Sequence, residues 1–341
     1  MKLNRPAKYN SLFFTLLGCL LAVLFITDLT VGSVEVSLKD ICDSFFGEAT
    51  GASKILYRFR LPKACVAVFT GVSLSVAGLQ MQTVFRNPLA DPYVLGVSSG
   101  AGLGVALFIM GASSWAVMER LRDLGTYAAA LGGSSLVLTL ILLVSVRVKD
   151  VMSVLILGVM FGSGISAIIS ILQYFSPSSG VKTYVIWTMG SLGSVSSDKV
   201  LLMGCALLAG IMISVYSVKP LNALLLGENY AKSMGVNIRR SRNLIFLGTS
   251  ILTGTATAFC GPIGFIGIAV PHLTRMLFRQ ADHRVLMPGT MLTGACIMLL
   301  CDILSQCVIK NTVLPINSVT ALLGIPVIIF VIAGYNRKRR L

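Results

Sequence analysis

Long uncharged apolar runs alternate along the chain with short segments that carry Lys, Arg, Asp and Glu. A helix needs about 20 apolar residues to cross roughly 30 Å of hydrocarbon, and the runs reach or exceed that length. The run from Asn243 to Thr274 is too long for one helix, and Gly261 and Pro262 interrupt it, so it predicts two spans. The pattern therefore predicts an all-α polytopic membrane protein with about ten transmembrane helices.

The charges between the runs predict an orientation. The expected spans are 11–31, 61–84, 93–112, 125–146, 151–174, 198–218, 243–260, 263–279, 285–307 and 317–335. An even number of spans places both termini on one side. Eighteen of the 28 Lys and Arg residues then share that side with the termini. Because loops retained in the cytoplasm carry the Lys and Arg excess, we expect both termini to be cytoplasmic. Residues 32–60 become an external segment, and residues 219–242 become the largest cytoplasmic one.

Composition supports this interpretation and narrows the function. Only 12% of the residues are charged, about half the roughly 25% of a soluble chain, and 55% are hydrophobic. The mean hydropathy is +0.86. The net charge of +15 is explained by the orientation signal, and no long basic soluble segment is present. We therefore expect membrane lipid as a partner and no nucleic acid.

Several kinds of chemistry are missing from the sequence. No G-x-x-x-x-G-K-[ST] motif occurs, so the chain cannot bind ATP phosphates by a phosphate loop of its own. Eight cysteines and two histidines lack the spacing of a metal or redox site, so we expect no cofactor and no metal. Gly96, Gly100 and Gly104 recur every four residues, which predicts a smooth helix face packed against another helix.

Asp302 is the one acid well inside an expected span. A buried carboxylate in a membrane often has a function, so an ion-coupled secondary transporter that uses Asp302 remains an alternative. The other interpretation is a helix-terminal or interhelical hydrogen bond. Asp28, at the outer end of the first span, is a further acid at the edge of the membrane.

A set of spaced motifs resembles one transporter family. Residues 60–63 read RLPK, residues 77–92 read AGLQMQTVFRNPLADP, and GVSSGA follows at 96–101. Further motifs are LGE at 226–228, GPIGFIG at 261–267, VPH at 270–272, DHR at 282–284 and VTALLGIP at 319–326. Together they strongly resemble the FecCD/BtuC-like permease subunits of ABC importers for iron-siderophores, haem and cobalamin, in family order across almost the whole chain.

The resemblance implies a single BtuC-like transmembrane permease domain over residues 1–341 in the bacterial inner membrane. It also implies a transport subunit and not an enzyme. The implied partners are a second permease subunit, for which we favour a homodimer, two cytoplasmic ATPase subunits and an extracytoplasmic binding protein. The choice among siderophore, haem and cobalamin stays open, as does that between a homodimer and two different permeases.

The segment 219–242 is expected to form two short helices joined by a glycine turn, because Pro220, Gly227 and Gly235 punctuate it. In the family this region is the coupling element that docks on the ATPase. The alternative is a merely interfacial amphipathic helix. The expected coupling residues are Leu221, Asn222, Leu225, Gly227, Glu228, Ala231, Met234 and Gly235.

The resemblance also implies two smaller sites. Arg60 and Lys63 match positions that meet acidic residues of the binding protein, and Gln306 stands where the family commonly has another arginine. Docking is therefore expected to be weaker, or to use Arg58 instead, and the alternative is that these side chains only anchor a span at the interface. The start of the fifth span, Val151, Met152 and Ser153, is the expected gate, with ordinary helix packing as the alternative.

Overall fold

The computed structural model describes residues 7–32, 51–111, 122–148, 150–308 and 312–339, together with residues 37, 39, 41 and 43. Within these residues the chain is helical and contains no strand. The long and short α-helices are α1 Ala7–Thr30, α2 Gly51–Ile55, α3 Leu61–Val84, α4 Val97–Gly111, α5 Arg122–Arg147, α6 Val151–Phe175, α7 Ser178–Thr188, α8 Ser197–Tyr216, α9 Val218–Leu225, α10 Glu228–Ser233, α11 Ile238–Cys260, α12 Ile266–Phe278, α13 His283–Cys307 and α14 Ile316–Arg339.

Each of the ten expected spans falls on a helix. Among the residues that the structure describes, seven helical segments are long and apolar enough to cross a membrane. The apolar helices Val97–Gly111, Ile266–Phe278 and Ile316–Phe330 are shorter. The all-α membrane fold is thus confirmed, whereas the count of ten spans and the cytoplasmic termini stay predictions.

The structure differs from the sequence pattern at two places. A π-helical turn, Leu56–Arg60, joins α2 to α3, so the second apolar helix begins well before residue 61 and includes part of the expected external segment. Lys54, Arg58 and Arg60 end the apolar run there without ending the helix. The second difference is α7, Ser178–Thr188, which the hydropathy pattern leaves within a loop because it contains only 11 residues. Most of residues 33–50 lie outside the described part of the chain.

Contacts divide the chain into two compact units. The first comprises Met1–Val76, Ser191–Cys205 and Ile263–Leu341, and the second comprises Ala77–Gly190 and Ala206–Pro262. In the first unit α1 packs on α13, and α13 packs on α12 and α14. The rings of Phe13 and Phe14 lie 5.9 and 4.8 Å from that of Phe278. These contacts explain how the first helix, with most of its surface exposed, is fixed to the unit.

The second unit is organised by close packing of α4 against α5. A Cβ added to Gly100 would lie 2.5 Å from the carbonyl oxygen of Gly133, and one added to Gly104 would collide with the carbonyl oxygen of Ala129. Gly96 approaches a third helix, since its added Cβ would lie 3.3 Å from the Gly158 carbonyl oxygen. The predicted smooth glycine face is confirmed. It brings helix backbones together where apolar side chains would hold them apart.

The cysteines and histidines show no metal or disulfide arrangement among the residues that the structure describes. Seven cysteines are free, and Cys42 lies outside the described residues. His272 and His283 are buried, and no group of three or more His, Cys, Asp or Glu side chains converges in the described part.

Candidate coupling and docking sites

The segment after α8 folds into two short helices joined by a glycine turn, as predicted. α9 ends at Leu225, and Leu226 and Gly227 lead into α10. Gly227 has a φ of 118°, a conformation that L side chains rarely adopt. A second turn follows α10, where the Val236 amide donates to the Ala231 carbonyl oxygen at 3.0 Å. The segment is therefore a defined structural element and not an extended loop.

The predicted coupling residues divide into an inner and an outer group. Leu221 and Ala231 have no exposed surface and fix the two helices to the unit. Asn222, Gly227 and Glu228 are partly exposed.

The outer group is apolar. Leu225 and Met234 are 44% and 58% exposed, and Tyr230 between them is 54% exposed. Leu226, which the sequence analysis did not include among the coupling residues, is 64% exposed. Its position beside Gly227 was the available signal, because a residue next to a turn glycine commonly lies at the surface. Gly235 is also exposed. We call the four exposed large apolar side chains of this segment the coupling patch: Leu225, Leu226, Tyr230 and Met234.

The turn Arg86–Pro92 leads into the start of the third span. The Asn87 side chain accepts a hydrogen bond from the Leu89 amide at 3.0 Å, and that of Asp91 accepts one from the Tyr93 amide at 2.8 Å. Asp91 thereby caps the short 3₁₀ helix Pro92–Leu95 that precedes α4. Burial raises the pKa of Asp91 to about 6, and the hydrogen bond from Tyr93 opposes that rise. These bonds give the turn a structural role.

Three charged and polar side chains form a cluster: Lys63, Asp302 and Gln306. The Lys63 ammonium lies 3.0 Å from the Asp302 carboxylate, which is only 2% exposed. The Gln306 side chain donates to the same carboxylate at 3.2 Å and to Asp28 at 3.4 Å. The cluster therefore joins α1, α3 and α13 through polar contacts. Asp28 is a member that the sequence analysis did not assign, although its place at the outer end of the first span was noted.

Arg60 lies beside this cluster and is also engaged within the chain. Its guanidinium donates to the Leu29 carbonyl oxygen at 2.5 Å, and the side chain is 8% exposed. Leu29 is in the last turn of α1, so this bond satisfies a carbonyl that the helix itself cannot. Arg58, two residues earlier, is exposed. The structure thus brings together the three expected docking residues Arg60, Lys63 and Gln306, and the two basic ones among them have partners inside the protein.

This geometry bears on the alternative of an ion-coupled carrier. The carboxylate of Asp302 is neutralised by the ammonium of Lys63 and held by Gln306. A proton carrier must exchange its proton with water, whereas this carboxylate is buried in an interhelical ion pair. The contact matches the interhelical role that the sequence left open and gives the carrier no support.

The expected gate residues stand at the start of α6. Asp150 caps this helix by accepting bonds from the amides of Met152 and Ser153 at 3.3 and 2.9 Å. The Ser153 hydroxyl also donates to Asp150 at 2.8 Å, and this bond together with the two amide bonds lowers the pKa of Asp150. Val151 is partly exposed, and Met152 is 46% exposed. Of the three residues, Met152 alone presents a large apolar side chain at the surface of this unit.

A model of the FecCD transport family matches residues 20–334, which is nearly the whole chain. The chain belongs to the FecCD transport family. The match covers the coupling patch, the polar cluster and the start of α6 together, so these elements belong to one family permease.

Individual relatives agree with this assignment. A hemin transport system permease protein, HmuU of Yersinia pestis, is 33% identical over 322 residues, covering 94% of this chain and 95% of the relative. A vitamin B12 import system permease protein, BtuC of Salmonella typhi, is 38% identical over 282 residues, covering 81% and 83%. A solved chain described as an inward-facing candidate metal-chelate type ABC transporter superimposes with a TM-score of 0.83 at 30% identity, covering 96% and 99%.

The FecCD family chain is accordingly a permease subunit of an ABC transporter, with the BtuC-like membrane fold. It is a multi-pass protein of the bacterial inner membrane. The resemblance of the spaced sequence motifs to this family is confirmed.

Proposed function

We propose that this permease forms the translocation path of an ATP-driven importer for an iron chelate, either a siderophore complex or haem, or for cobalamin. The similar permeases named for hemin and for vitamin B12 support this class of cargo. The observation that carries the proposal is the coupling patch, a large exposed apolar surface on a segment whose Leu221 and Ala231 are fully buried. An exposed apolar patch on an anchored element is typical of a protein interface.

The partners follow from this arrangement. Two ATPase subunits bind the coupling segments of two permease copies, and a binding protein delivers the cargo from outside. We assign ATP hydrolysis to the ATPase subunits, because the permease has no phosphate loop. We favour a homodimer, in which one chain type supplies both halves of the path.

Reconstitution tests this function directly. We expect proteoliposomes with the permease, its ATPase and the loaded binding protein to accumulate iron chelate, haem or cobalamin only when ATP is supplied. The permease alone should hydrolyse no ATP. The measurement is uptake of each labelled cargo with and without ATP. Uptake driven by a proton gradient in the absence of the ATPase would contradict the proposal.

The same assay tests the coupling patch. Leu226→Glu with Met234→Glu should reduce ATPase binding and uptake by at least tenfold, because charge replaces apolar surface in the proposed interface. The matched control, Asn229→Glu with Ser233→Glu, adds the same charge at exposed positions of the same segment. Equal losses in both pairs, measured by pull-down of the ATPase, would exclude the patch as the contact and leave a merely interfacial helix.

We propose further that Val151, Met152 and Ser153 form the gate, with Met152 closing the path against its counterpart in a second copy. Apolar side chains that meet across a pore exclude water from it. Met152→Cys is therefore expected to give a disulfide-linked dimer under mild oxidation in the resting state, and less of it during ATP-driven transport. Leu143→Cys, an exposed position on α5, is the control. A monomeric product from Met152→Cys on a reducing-agent-free gel would contradict both the gate and the homodimer.

We also propose that the binding protein docks near Arg60, Lys63 and Gln306, with Arg58 supplying the free charge. Arg58 is exposed, whereas Arg60 and Lys63 contact Leu29 and Asp302. The three clustered residues would then hold the docking surface in shape, and Arg58 would attract the acidic partner.

A further inference from the structure

An open groove of about 640 Å³ lies between α5 and α11 in the second unit. Its volume falls within the range of roughly 300 to 1,000 Å³ that is usual for sites of small molecules. The groove borders the coupling segment 219–242, which contains Asn237, Arg239 and Arg240, but none of its lining residues belongs to the coupling patch. The groove is lined by Thr139, Leu142, Leu143, Asn237, Arg239, Arg240, Asn243, Leu244 and Leu247.

One end of the groove is basic. Arg239 and Arg240 lie in the first turn of α11 and are exposed. The Asn237 side chain caps this helix by accepting a bond from the Arg240 amide at 3.0 Å. The end of α5 is adjacent, because the Ser145 hydroxyl lies 3.5 Å from the Asn243 side-chain oxygen. Two guanidinium groups beside a helix N-terminus favour an anion with several acceptor oxygens.

The other end of the groove is apolar. Leu244 and Leu247 lie one to two turns further along α11, about 6 to 12 Å deeper. On α5, Leu143 is 62% exposed, and Leu136 on the same helix is 58% exposed. On a helix long and apolar enough to span a membrane, such exposed leucines are suited to contact with hydrocarbon. The groove therefore runs from a pair of arginines into the acyl-chain region.

We propose that this groove binds an anionic diacyl phospholipid, with its phosphate between Arg239 and Arg240 and one acyl chain along Leu142, Leu143, Leu244 and Leu247. Basic pockets between transmembrane helices on the cytoplasmic side bind anionic head groups in this way. The predicted orientation places Arg239 and Arg240 in the cytoplasmic leaflet, where the basic residues of the chain accumulate.

A soluble partner fits the groove less well. The ATPase could reach the two arginines from the cytoplasm, but the leucine end would require it to enter the hydrocarbon. Free phosphate would contact the arginines and leave the apolar end empty. The chemistry of both ends together therefore favours a lipid.

Native mass spectrometry of the full chain with added phosphatidylglycerol tests the site. We expect retained phosphatidylglycerol adducts, and a roughly 25-fold weaker affinity in Arg239→Gln with Arg240→Gln, because each basic residue at an anionic surface contributes about a factor of five. The control Arg279→Gln with Arg284→Gln removes two exposed charges elsewhere on the predicted cytoplasmic side and should keep the adducts. Phosphatidylcholine should bind weakly to all of these variants.

A second variant distinguishes lipid binding in the groove from attraction of the lipid by charge alone. Thr139→Trp leaves both arginines in place but fills the apolar part of the groove, and it should also lose the adducts. Glycerol phosphate at millimolar concentration should not displace the lipid. Equal losses in the two arginine pairs, unchanged binding in Thr139→Trp, or displacement of the lipid by the ATPase would each overturn the proposal. Because the readout is lipid binding, its result does not depend on the cargo or on uptake.

Discussion

Gly133→Ala should lower the free energy of unfolding of the permease by about 1 to 3 kcal/mol, the usual range for overpacking a close contact. A Cβ at Gly133 would collide with the carbonyl oxygen of Gly100, which is backbone and cannot rotate away. The two helices would have to separate along the whole glycine face. Unfolding in detergent micelles, followed by circular dichroism, measures the loss.

The neighbouring glycine supplies the control. An added Cβ at Gly132 would meet nothing within 4 Å, although it is on the same helix. Gly132→Ala should therefore be neutral or stabilising by up to about 1 kcal/mol, since alanine favours a helix more than glycine does. A similar loss of stability in both variants would mean that replacing glycine in α5 is itself destabilising, and that the collision with α4 is not the cause.

Lys63→Met should destabilise the permease by about 3 to 5 kcal/mol, because it leaves the buried Asp302 carboxylate without its cation. Adding Asp302→Leu should recover most of that loss, since an apolar pair of similar volume often replaces a buried ion pair without net cost. Thermal unfolding of both single variants and of the double variant gives the coupling between the two positions. Additive losses would show that the ion pair does not couple them.

The same variants separate structure from docking. If Lys63 only holds the cluster together, the stable double variant should bind the loaded binding protein as the parent chain does.

Arg58→Glu should slow association with the binding protein severalfold at low salt and little at high salt, because steering by exposed charges is screened as salt rises. The stability of the permease should be unchanged. If Arg58→Glu leaves the association rate unchanged at every salt concentration, Arg58 is not part of the docking interface.

The sequence predicted the parts of this molecule that rest on local patterns. Uncharged apolar runs located the long helices. In hydrocarbon the polar backbone groups must be hydrogen-bonded within the segment, and an α-helix satisfies that requirement for each run. The spacing of Gly96, Gly100 and Gly104 predicted their close packing. Gly227 predicted the turn between α9 and α10, since its positive φ is costly for other residues.

What the sequence could not give was the pairing of distant side chains. Lys63 and Asp302 are more than two hundred residues apart, and only the packing of α3 with α13 shows that they meet. Hydropathy likewise could not show that Arg60 turns inward to the Leu29 carbonyl while Arg58 remains exposed. For Leu226 the one sequence signal was its position beside Gly227, and only its exposure in the structure assigned it to the coupling patch.

The helix that runs unbroken from Ser53 to Val84 has 32 residues and is therefore about 48 Å long. The hydrocarbon layer is only about 30 Å thick, and ordinary tilting shortens the vertical span of such a helix only slightly. A helix of this length that crosses the membrane therefore extends beyond the hydrocarbon layer. Arg58 and Arg60 are two residues apart in the π-helical turn, and Arg58 is exposed whereas Arg60 is buried, so they lie on different sides of this helix. On one side Arg60 donates to the Leu29 carbonyl oxygen of the first helix, whereas Arg58 on the other side is exposed. Under the proposed docking, Arg58 would reach the binding protein from a helix end that lies outside the hydrocarbon.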